Sequence, residues 1–159
     1  MGYRLRRFLF RLFSPLLPAV QSSPKSADCV RCACNLRMIG LAIKIYADDH
    51  GKVFPDNLVQ VRRYVHHSVG LFTCPTSGNE PGPFETVDKW TDYVYLQGLT
   101  ESSAEDAILA YCPAKNHDGE GGNILFADGH VEWFDSEEYD DDGLSFDKVI
   151  AKAGEEREQ

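Results

Sequence analysis

The sequence predicts an α+β fold in which a long N-terminal helix packs on a small antiparallel β-sheet, followed by a C-terminal Asp-Gly hairpin and a terminal helix. Two patterns carry this prediction. Apolar residues recur with a helical period over residues 26–49, and an Asp-Gly pair separates two β-prone runs within residues 123–134. A helix followed by short strands, without strand–helix alternation, is typical of the α+β class.

The first helix is predicted to run from Ser26, a suitable N-cap, to about Asp49. Its apolar residues are spaced by four and three, and they form one stripe: Cys32, Leu36, Ile39, Ile43 and Tyr46. Gly40 and other small residues flank the stripe, so we expect the sheet to approach the helix closely there.

The hairpin prediction depends on Asp128 and Gly129, because Asp-Gly favours a two-residue type I′ turn. That turn places Phe126 opposite Val131 and Ile124 opposite Trp133. These four large side chains then share one buried face of the sheet. The glycine-rich residues 119–122 lead into the first strand as a loop.

Shorter segments complete the expected organisation. They are a short helix at 57–66 capped by Asp56, an irregular region at 71–85, a strand at 91–97, a short helix or turn at 102–109, and a terminal helix at 145–153. We expect a single domain over residues 26–153. A basic amphipathic or disordered segment, 1–25, precedes it, and an acidic tail, 154–159, follows it.

Charge divides the chain into two unlike parts. Residues 1–25 carry a charge of +5, whereas the whole chain carries −9, so residues 26–159 sum to −14. An acidic body argues against nucleic-acid binding. Because Arg11, Pro15 and Pro18 interrupt its apolar residues, the N-terminal segment is not expected to span a membrane. It is interpreted as lying on an anionic membrane surface, with a disordered tail, a signal peptide or a prepilin remnant as alternatives.

Several motifs together resemble one protein family. The motifs are His117 followed by a glycine-rich gap and the run Asn123–Trp133, the segment Cys32–Pro55, the run Phe72–Pro75, and the run Asp92–Tyr95. In this order they resemble the prepilin-type, processing-associated H-X9-DG proteins, which are similar to the major pseudopilin of type II secretion. The gap between His117 and Asp128 is one residue longer than the family name specifies, and the sequence shows no prepilin leader signature.

The resemblance implies a non-enzymatic, pilin-like structural or interaction domain of the bacterial cell envelope, membrane-associated or periplasmic. Its partners would be proteins of an envelope or filament assembly. The motif residues that the resemblance marks as structural are Cys32, Asn35, Gly40, His117, Asn123, Asp128 and Gly129.

The five cysteines leave alternatives open. Cys29-x-x-Cys32 is a spacing that zinc sites use. The alternative function is therefore a small metal-binding module, with zinc at Cys29 and Cys32 or calcium in the acidic loops. Cys74 and Cys112 are isolated in the sequence and each precedes a proline. Most of these residues are interpreted as small buried hydrophobic side chains. A disulfide from Cys29 or Cys32 to Cys74 is a further alternative in an oxidising compartment.

His117 is interpreted as a structural residue that bonds a backbone group of the hairpin or its glycine-rich loop. No catalytic residue, cofactor-binding residue or metal ligand is assigned, since the sequence contains no nucleophile, zinc-protease or P-loop motif. Two weaker hypotheses remain. One is a calcium site in the acidic loops, including residues 118–123, and the other is a hydrolase that uses His117 and Asp128.

Overall fold

A computed structural model describes residues 24–137 and 145–155. Its α-helices are α1 (Pro24–Asp49), α2 (Val87–Trp90) and α3 (Phe146–Glu155). Its strands are β1 (Val94–Tyr95), β2 (Ile108–Tyr111), β3 (Gly121–Phe126) and β4 (Val131–Asp135), and 3-10 helices occur at Leu58–Val61, Val69–Phe72, Phe84–Thr86 and Ala114–His117. The interpretations of residues 1–23 and of tail residues 156–159 lie outside this description.

The described residues form an α+β fold, but the fold-class prediction is wrong in its main element. The prediction placed a long N-terminal helix of the pilin type before the sheet, and no such helix is present among residues 24–137 and 145–155. The longest described helix is α1, a 26-residue element that begins at Pro24. None of the described helices combines the length and apolar character that crossing a membrane requires.

The sheet lies between two helices. Its four described strands are antiparallel and follow the chain order β1-β2-β3-β4. All six residues of β3 are buried. Leu125 belongs to the cluster that contains the buried side of α1, whereas Ile124 and Phe126 pack with Phe146 of α3. Because neighbouring residues of a strand face opposite ways, α1 and α3 cover opposite faces of the sheet.

The stripe predicted on α1 is confirmed at Leu36, Ile39 and Ile43, which are all fully buried. Close approach of the sheet to Gly40 is also confirmed. A Cβ atom at Gly40 would lie 2.9 Å from the Leu125 side chain. Glycine at this position therefore lets α1 lie against the middle of β3.

The predicted hairpin register is wrong by one residue. Leu125 pairs with Val131 and Asn123 pairs with Trp133. Phe126 N donates to His130 O and Gly129 N donates to Phe126 O, which closes a three-residue loop with Gly129 at a φ of +98°. This loop is a turn followed by a glycine bulge rather than the predicted two-residue turn.

The register shift separates side chains that were predicted to share one face. Trp133 is half-buried on the α1 side, whereas Ile124 and Phe126 face α3. Both faces of β3 are apolar and covered. The strand therefore lacks the alternation of apolar and polar residues that would favour one pairing register over another. The hairpin is present and Asp128 and Gly129 lie in its loop, but both the register and the turn type were predicted wrongly.

The shorter elements differ from the predictions at their boundaries. The helix expected at 57–66 is reduced to the 3-10 turn Leu58–Val61, whose N-cap residue is Asn57, without a side-chain cap hydrogen bond, instead of Asp56. The strand expected at 91–97 is limited to Val94–Tyr95. The segment expected to be a short helix or turn at 102–109 ends in strand β2. The terminal helix extends to Glu155, two residues beyond its predicted end.

Candidate metal centre

Four metal-ligating side chains from separate parts of the chain meet beneath the N-terminal part of α1. They are Cys32, Cys74, Cys112 and His117, and their ligating atoms all lie within 4.8 Å of one another. Their exposed fractions are 0%, 3%, 0% and 1%, so water has almost no access to the group. The fold therefore contains a buried Cys3His group that could bind a metal ion.

Regular secondary structure positions two of the four side chains. Cys32 lies on the buried stripe of α1, on the side that faces the sheet. Cys112 follows β2 directly, and its backbone N donates to Asn123 O at 2.9 Å, which continues the pairing between β2 and β3. The Asn123 side chain in turn donates to Cys29 O at 3.1 Å. Asn123 thus ties the start of α1 to the strand beside Cys112.

Cys74 is held in an irregular loop by Asp92. One Asp92 carboxylate oxygen accepts from Cys74 N at 2.8 Å and from the Ser77 hydroxyl at 2.6 Å, and the other accepts from Asn79 Nδ2 at 2.6 Å. The Asp92 carbonyl also accepts from Asn116 Nδ2 at 3.1 Å. A single aspartate therefore fixes the Cys74 loop and connects it to the segment that carries His117.

His117 ends the 3-10 helix Ala114–His117, and its ring meets Trp133 edge-on at 5.1 Å between centroids. Its Nε2 faces Cys74 Sγ at 3.6 Å. Its Nδ1 instead lies 3.3 Å from Thr76 Oγ1 and 3.6 Å from Cys29 Sγ. Nε2 is therefore the atom directed into the cysteine group, and Nδ1 remains for contacts that orient the ring.

Each of the three buried sulfurs has a hydrogen-bonding side chain of its own. Asn116 Nδ2 donates to Cys112 Sγ at 3.5 Å, and the Thr76 hydroxyl lies 3.1 Å from Cys74 Sγ. A hydrogen bond from Asn123 favours the thiolate of Cys32. Such donors stabilise negative charge on sulfur, which is the form of cysteine that binds metals.

The three thiols cannot all ionise by themselves. Contacts with Cys112 and Cys32 hold the pKa of Cys74 far below its ordinary value. The contact with Cys112 lowers the pKa of Cys32, but the contact with Cys74 and burial raise it more, to about 12. Contacts with Cys32 and Cys74, together with burial, raise the pKa of Cys112. The negative charge of one thiolate thus disfavours ionisation of the neighbouring thiols. A bound cation would offset the repulsion between the thiolates.

The structure brings together four of the seven motif residues marked by the sequence. Cys32 and His117 are members of the group, Asn123 lies beside it, and Asn35 donates from Nδ2 to Thr73 O at 3.1 Å, next to Cys74. The remaining three have structural positions elsewhere: Gly40 against Leu125, and Asp128 with Gly129 in the hairpin turn.

The expected partners of His117 and Asp128 can be compared with the observed ones. The contacts found for His117 are with side chains, rather than with the backbone of the hairpin or its loop. Asp128 does bond its own turn as expected, since its carboxylate accepts from His130 N at 2.8 Å. Among the described residues no hydrogen bond joins His117 to Asp128, and the hydrolase hypothesis stays a prediction.

The ligand set was not predicted from the sequence. Cys29 and Cys32 were the pair predicted for zinc, but only Cys32 belongs to the group, and Cys29 contacts His117 from outside it. The overlooked signal is Cys112-x4-His117, a spacing close to those of ligand pairs in zinc sites. A second signal is that Cys74 and Cys112, which were interpreted as isolated, are each followed by a proline. None of the five cysteines forms a disulfide.

Of the segment 118–123 considered for calcium, residues 118–120 are exposed, whereas residues 121–123 are buried in β3. Two neighbouring segments line a depression at this surface: Asp118, Gly119 and Glu120 from the first, and Asp135, Ser136 and Glu137 from the second. Calcium binding at this depression stays a prediction.

Comparison with known proteins adds no relative to this description. No protein-family model, no curated protein and no solved structure matches the chain. The resemblance to the H-X9-DG proteins therefore stays a prediction, and the Cys3His geometry is the observation on which a functional proposal can be based.

Proposed function

We propose that this chain is a small zinc-binding domain in which the metal has a structural role. The observation that carries the proposal is the convergence of Cys32, Cys74, Cys112 and His117, with all ligating atoms within 4.8 Å and all four residues buried. In a tetrahedral zinc site two sulfurs lie about 3.8 Å apart, given zinc–sulfur bonds of about 2.3 Å. Closing the group around zinc needs shifts of about 1 Å or less.

The chemistry of the ligand set favours zinc over other cations. Three sulfurs and one imidazole nitrogen form a soft set, and Cys3His is a common structural zinc combination. Calcium and magnesium require oxygen ligands, and the group offers none. The hydrogen bonds to the sulfurs and to His117 Nδ1 supply the orienting contacts that metal sites use.

Burial and ligand number favour a structural rather than a catalytic metal. A catalytic zinc keeps one coordination position for water or substrate, whereas four protein ligands complete a tetrahedron. Because none of the four side chains is more than 3% exposed, a substrate has no open approach to the ion. We therefore propose a domain without enzymatic activity at this centre.

A zinc ion at this position would cross-link the fold. It would join α1, the loop after Val69–Phe72, the end of β2 and the 3-10 helix Ala114–His117. Residues 50–107 contain little regular structure, so few backbone ladders hold them to the sheet. Zinc binding contributes directly to folding in domains of this kind, because the unfolded chain has no preformed site.

Metal analysis of purified protein tests the proposal. The chain, prepared under reducing conditions with zinc available, should contain one zinc per molecule. Cys112→Ser should lower that content to near zero, whereas the matched variant Cys34→Ser should keep it, because Cys34 is exposed and outside the group. Should Cys112→Ser be poorly soluble, reconstitution of the parent with Co²⁺ provides an independent readout through the thiolate-to-cobalt absorption.

Three outcomes would contradict the zinc proposal. The first is a parent protein without zinc that is nevertheless folded. The second is a Cys112→Ser variant that retains the metal. The third is a mass lower by two hydrogen atoms with only one reactive thiol among Cys32, Cys74 and Cys112, which would show a disulfide in place of a metal.

The pilin-like role in the bacterial cell envelope remains a separate proposal. It rests on the motif resemblance, and the zinc centre neither requires nor excludes it. In both cases the domain would act through binding and not through catalysis.

A further inference from the structure

The outer face of α1 is unusually apolar for a surface that faces solvent. Among the described residues five large hydrophobic side chains are exposed, and four of them belong to α1. These four, which we call the outer stripe, are Val30, Met38, Leu41 and Ile45, with exposed fractions of 61%, 49%, 52% and 40%. Contiguous exposed apolar surface marks interaction sites on soluble proteins.

The outer stripe is continuous along the helix. Its members, with the exposed Cys34 between Val30 and Met38, are separated by four, four, three and four residues. At 100° per residue these side chains fall within one narrow arc, opposite the buried stripe centred on Leu36 and Ile43. The helix is therefore apolar on two opposite faces, of which the sheet covers only one.

Basic residues accompany the outer stripe. Arg37 lies at one edge and is exposed, and the half-buried Lys44 follows it on the same side. Arg31 lies at the other edge, where it pairs with Asp28 at 2.9 Å. The acids at the C-terminal end of α1 have basic partners, since Asp48 pairs with Lys52 and Asp49 pairs with Arg63. Arg37 and Lys44 thus place positive charge along one edge of the stripe, although residues 26–159 are strongly acidic.

Charge identifies the kind of partner that the outer stripe fits. The chain segment immediately before α1, residues 1–23, carries four arginines and no acid, so it does not complement the basic edge of the stripe. A second copy centred on this face would bring Arg37 towards its own equivalent. An anionic surface complements both the stripe and the preceding segment, and apolar side chains beside arginines suit the boundary between lipid headgroups and acyl chains.

We propose that the outer stripe of α1 docks in the plane of an anionic lipid bilayer. From Val30 to Ile45 it covers about 22 Å of helix, at about 1.5 Å per residue. Met38, Leu41 and Ile45 enter the headgroup boundary, while Arg31 and Arg37 contact lipid phosphates. The sheet and α3 lie on the far side of α1, away from the membrane. This inference does not depend on zinc, because the stripe and the metal group lie on opposite faces of the helix.

Vesicle co-sedimentation of the full-length chain, as purified under reducing conditions, tests this proposal. Vesicles of phosphatidylcholine with phosphatidylglycerol should bind the protein, and pure phosphatidylcholine vesicles should bind it at least tenfold more weakly. Met38→Ser combined with Leu41→Ser should reduce binding to the anionic vesicles at least tenfold. Arg37→Gln should reduce it about fivefold, since one basic residue near such a surface contributes about 1 kcal/mol.

Matched variants separate the stripe from other sources of binding. Val53→Ser changes the one exposed large hydrophobic residue outside α1 among the described residues, and it should leave binding unchanged. The stripe variant should keep the melting temperature of the parent because both of its side chains are exposed. A variant with Arg4, Arg6, Arg7 and Arg11 changed to Gln should bind more weakly than the parent but should still lose further affinity when the stripe is changed.

Three results would overturn the proposal. One is equal vesicle binding by the parent and the stripe variant, which would assign all binding to the N-terminal arginines. Another is failure of the parent to bind anionic vesicles. The last is a parent that forms a dimer in sedimentation equilibrium, becomes monomeric in the stripe variant and ignores vesicles, which would show that a second copy covers this face.

Discussion

The structural importance of His117 could be predicted from the sequence, but its contacts could not. Its position before a glycine-rich loop marks it as important, and its complete burial agrees with a structural role. Its partners could not be predicted, because Cys74 and Thr76 lie about forty residues earlier and reach it only through a loop without regular structure. The spacing to Cys112 was the only local indication of a ligand pair.

Asp128 provides a test at the residue scale. The hydrogen bond from His130 N, and then the His130 ring, hold the pKa of this carboxyl below its ordinary value. A lowered folded-state pKa means that Asp128 stabilises the fold above its unfolded pKa and loses that effect as the pH falls through the folded value. Asp128→Ala should therefore cost about 0.5 kcal/mol at neutral pH, a small figure because the side chain is exposed to solvent.

Chemical denaturation as a function of pH measures this effect. The difference in unfolding free energy between the parent and Asp128→Ala should shrink as the pH falls below about 4. Asp128→Asn is the matched control, since its amide oxygen can still accept from His130 N but carries no charge. A difference that is the same at every pH would show that the carboxylate charge has no part in holding the turn.

At the scale of elements, patterns within one segment were predicted better than relations between segments. The buried side of α1 followed from spacing alone, because one face of a helix repeats every three or four residues. The hairpin register did not, because β3 is apolar on both faces and gives no reason to prefer one pairing. The second apolar face of α1 was not predicted, although its residues follow the same helical spacing as the buried stripe.

Ile39 tests the packing of α1 on the sheet. It is 1% exposed within the main core cluster, so Ile39→Ala should lower the free energy of unfolding by about 2–5 kcal/mol. The neighbouring variant Met38→Ala should change it by about 0.5 kcal/mol or less, because that side chain belongs to the outer stripe. Similar losses for the two variants in urea denaturation would mean that the helix does not bury the assigned face.

At the scale of the whole molecule, the fold consists of a helix–sheet–helix arrangement with a long irregular segment attached to it. The sequence could predict the α+β class from its local patterns. It could not predict that the irregular segment meets α1 and the sheet at a Cys3His group, since the four ligands are spread over more than half of the chain. Residues judged isolated in the sequence thereby become neighbours in the fold.

The proposed zinc and the outer stripe assign different tasks to the two sides of α1. The inner side contributes Cys32 to the metal group and the buried stripe to the core. The outer side is left exposed and apolar, with basic residues at its edges. Few positions of α1 can therefore be substituted without changing either the buried core or the outer stripe.

X-ray absorption at the zinc edge of the purified, reduced protein tests the central claim most directly. The account predicts three sulfur ligands at about 2.3 Å and one nitrogen ligand at about 2.0 Å, with His117→Ala removing the nitrogen contribution. A first shell made of oxygen and nitrogen, or one with four sulfurs and no imidazole, would contradict the assignment of Cys32, Cys74, Cys112 and His117 as the metal ligands.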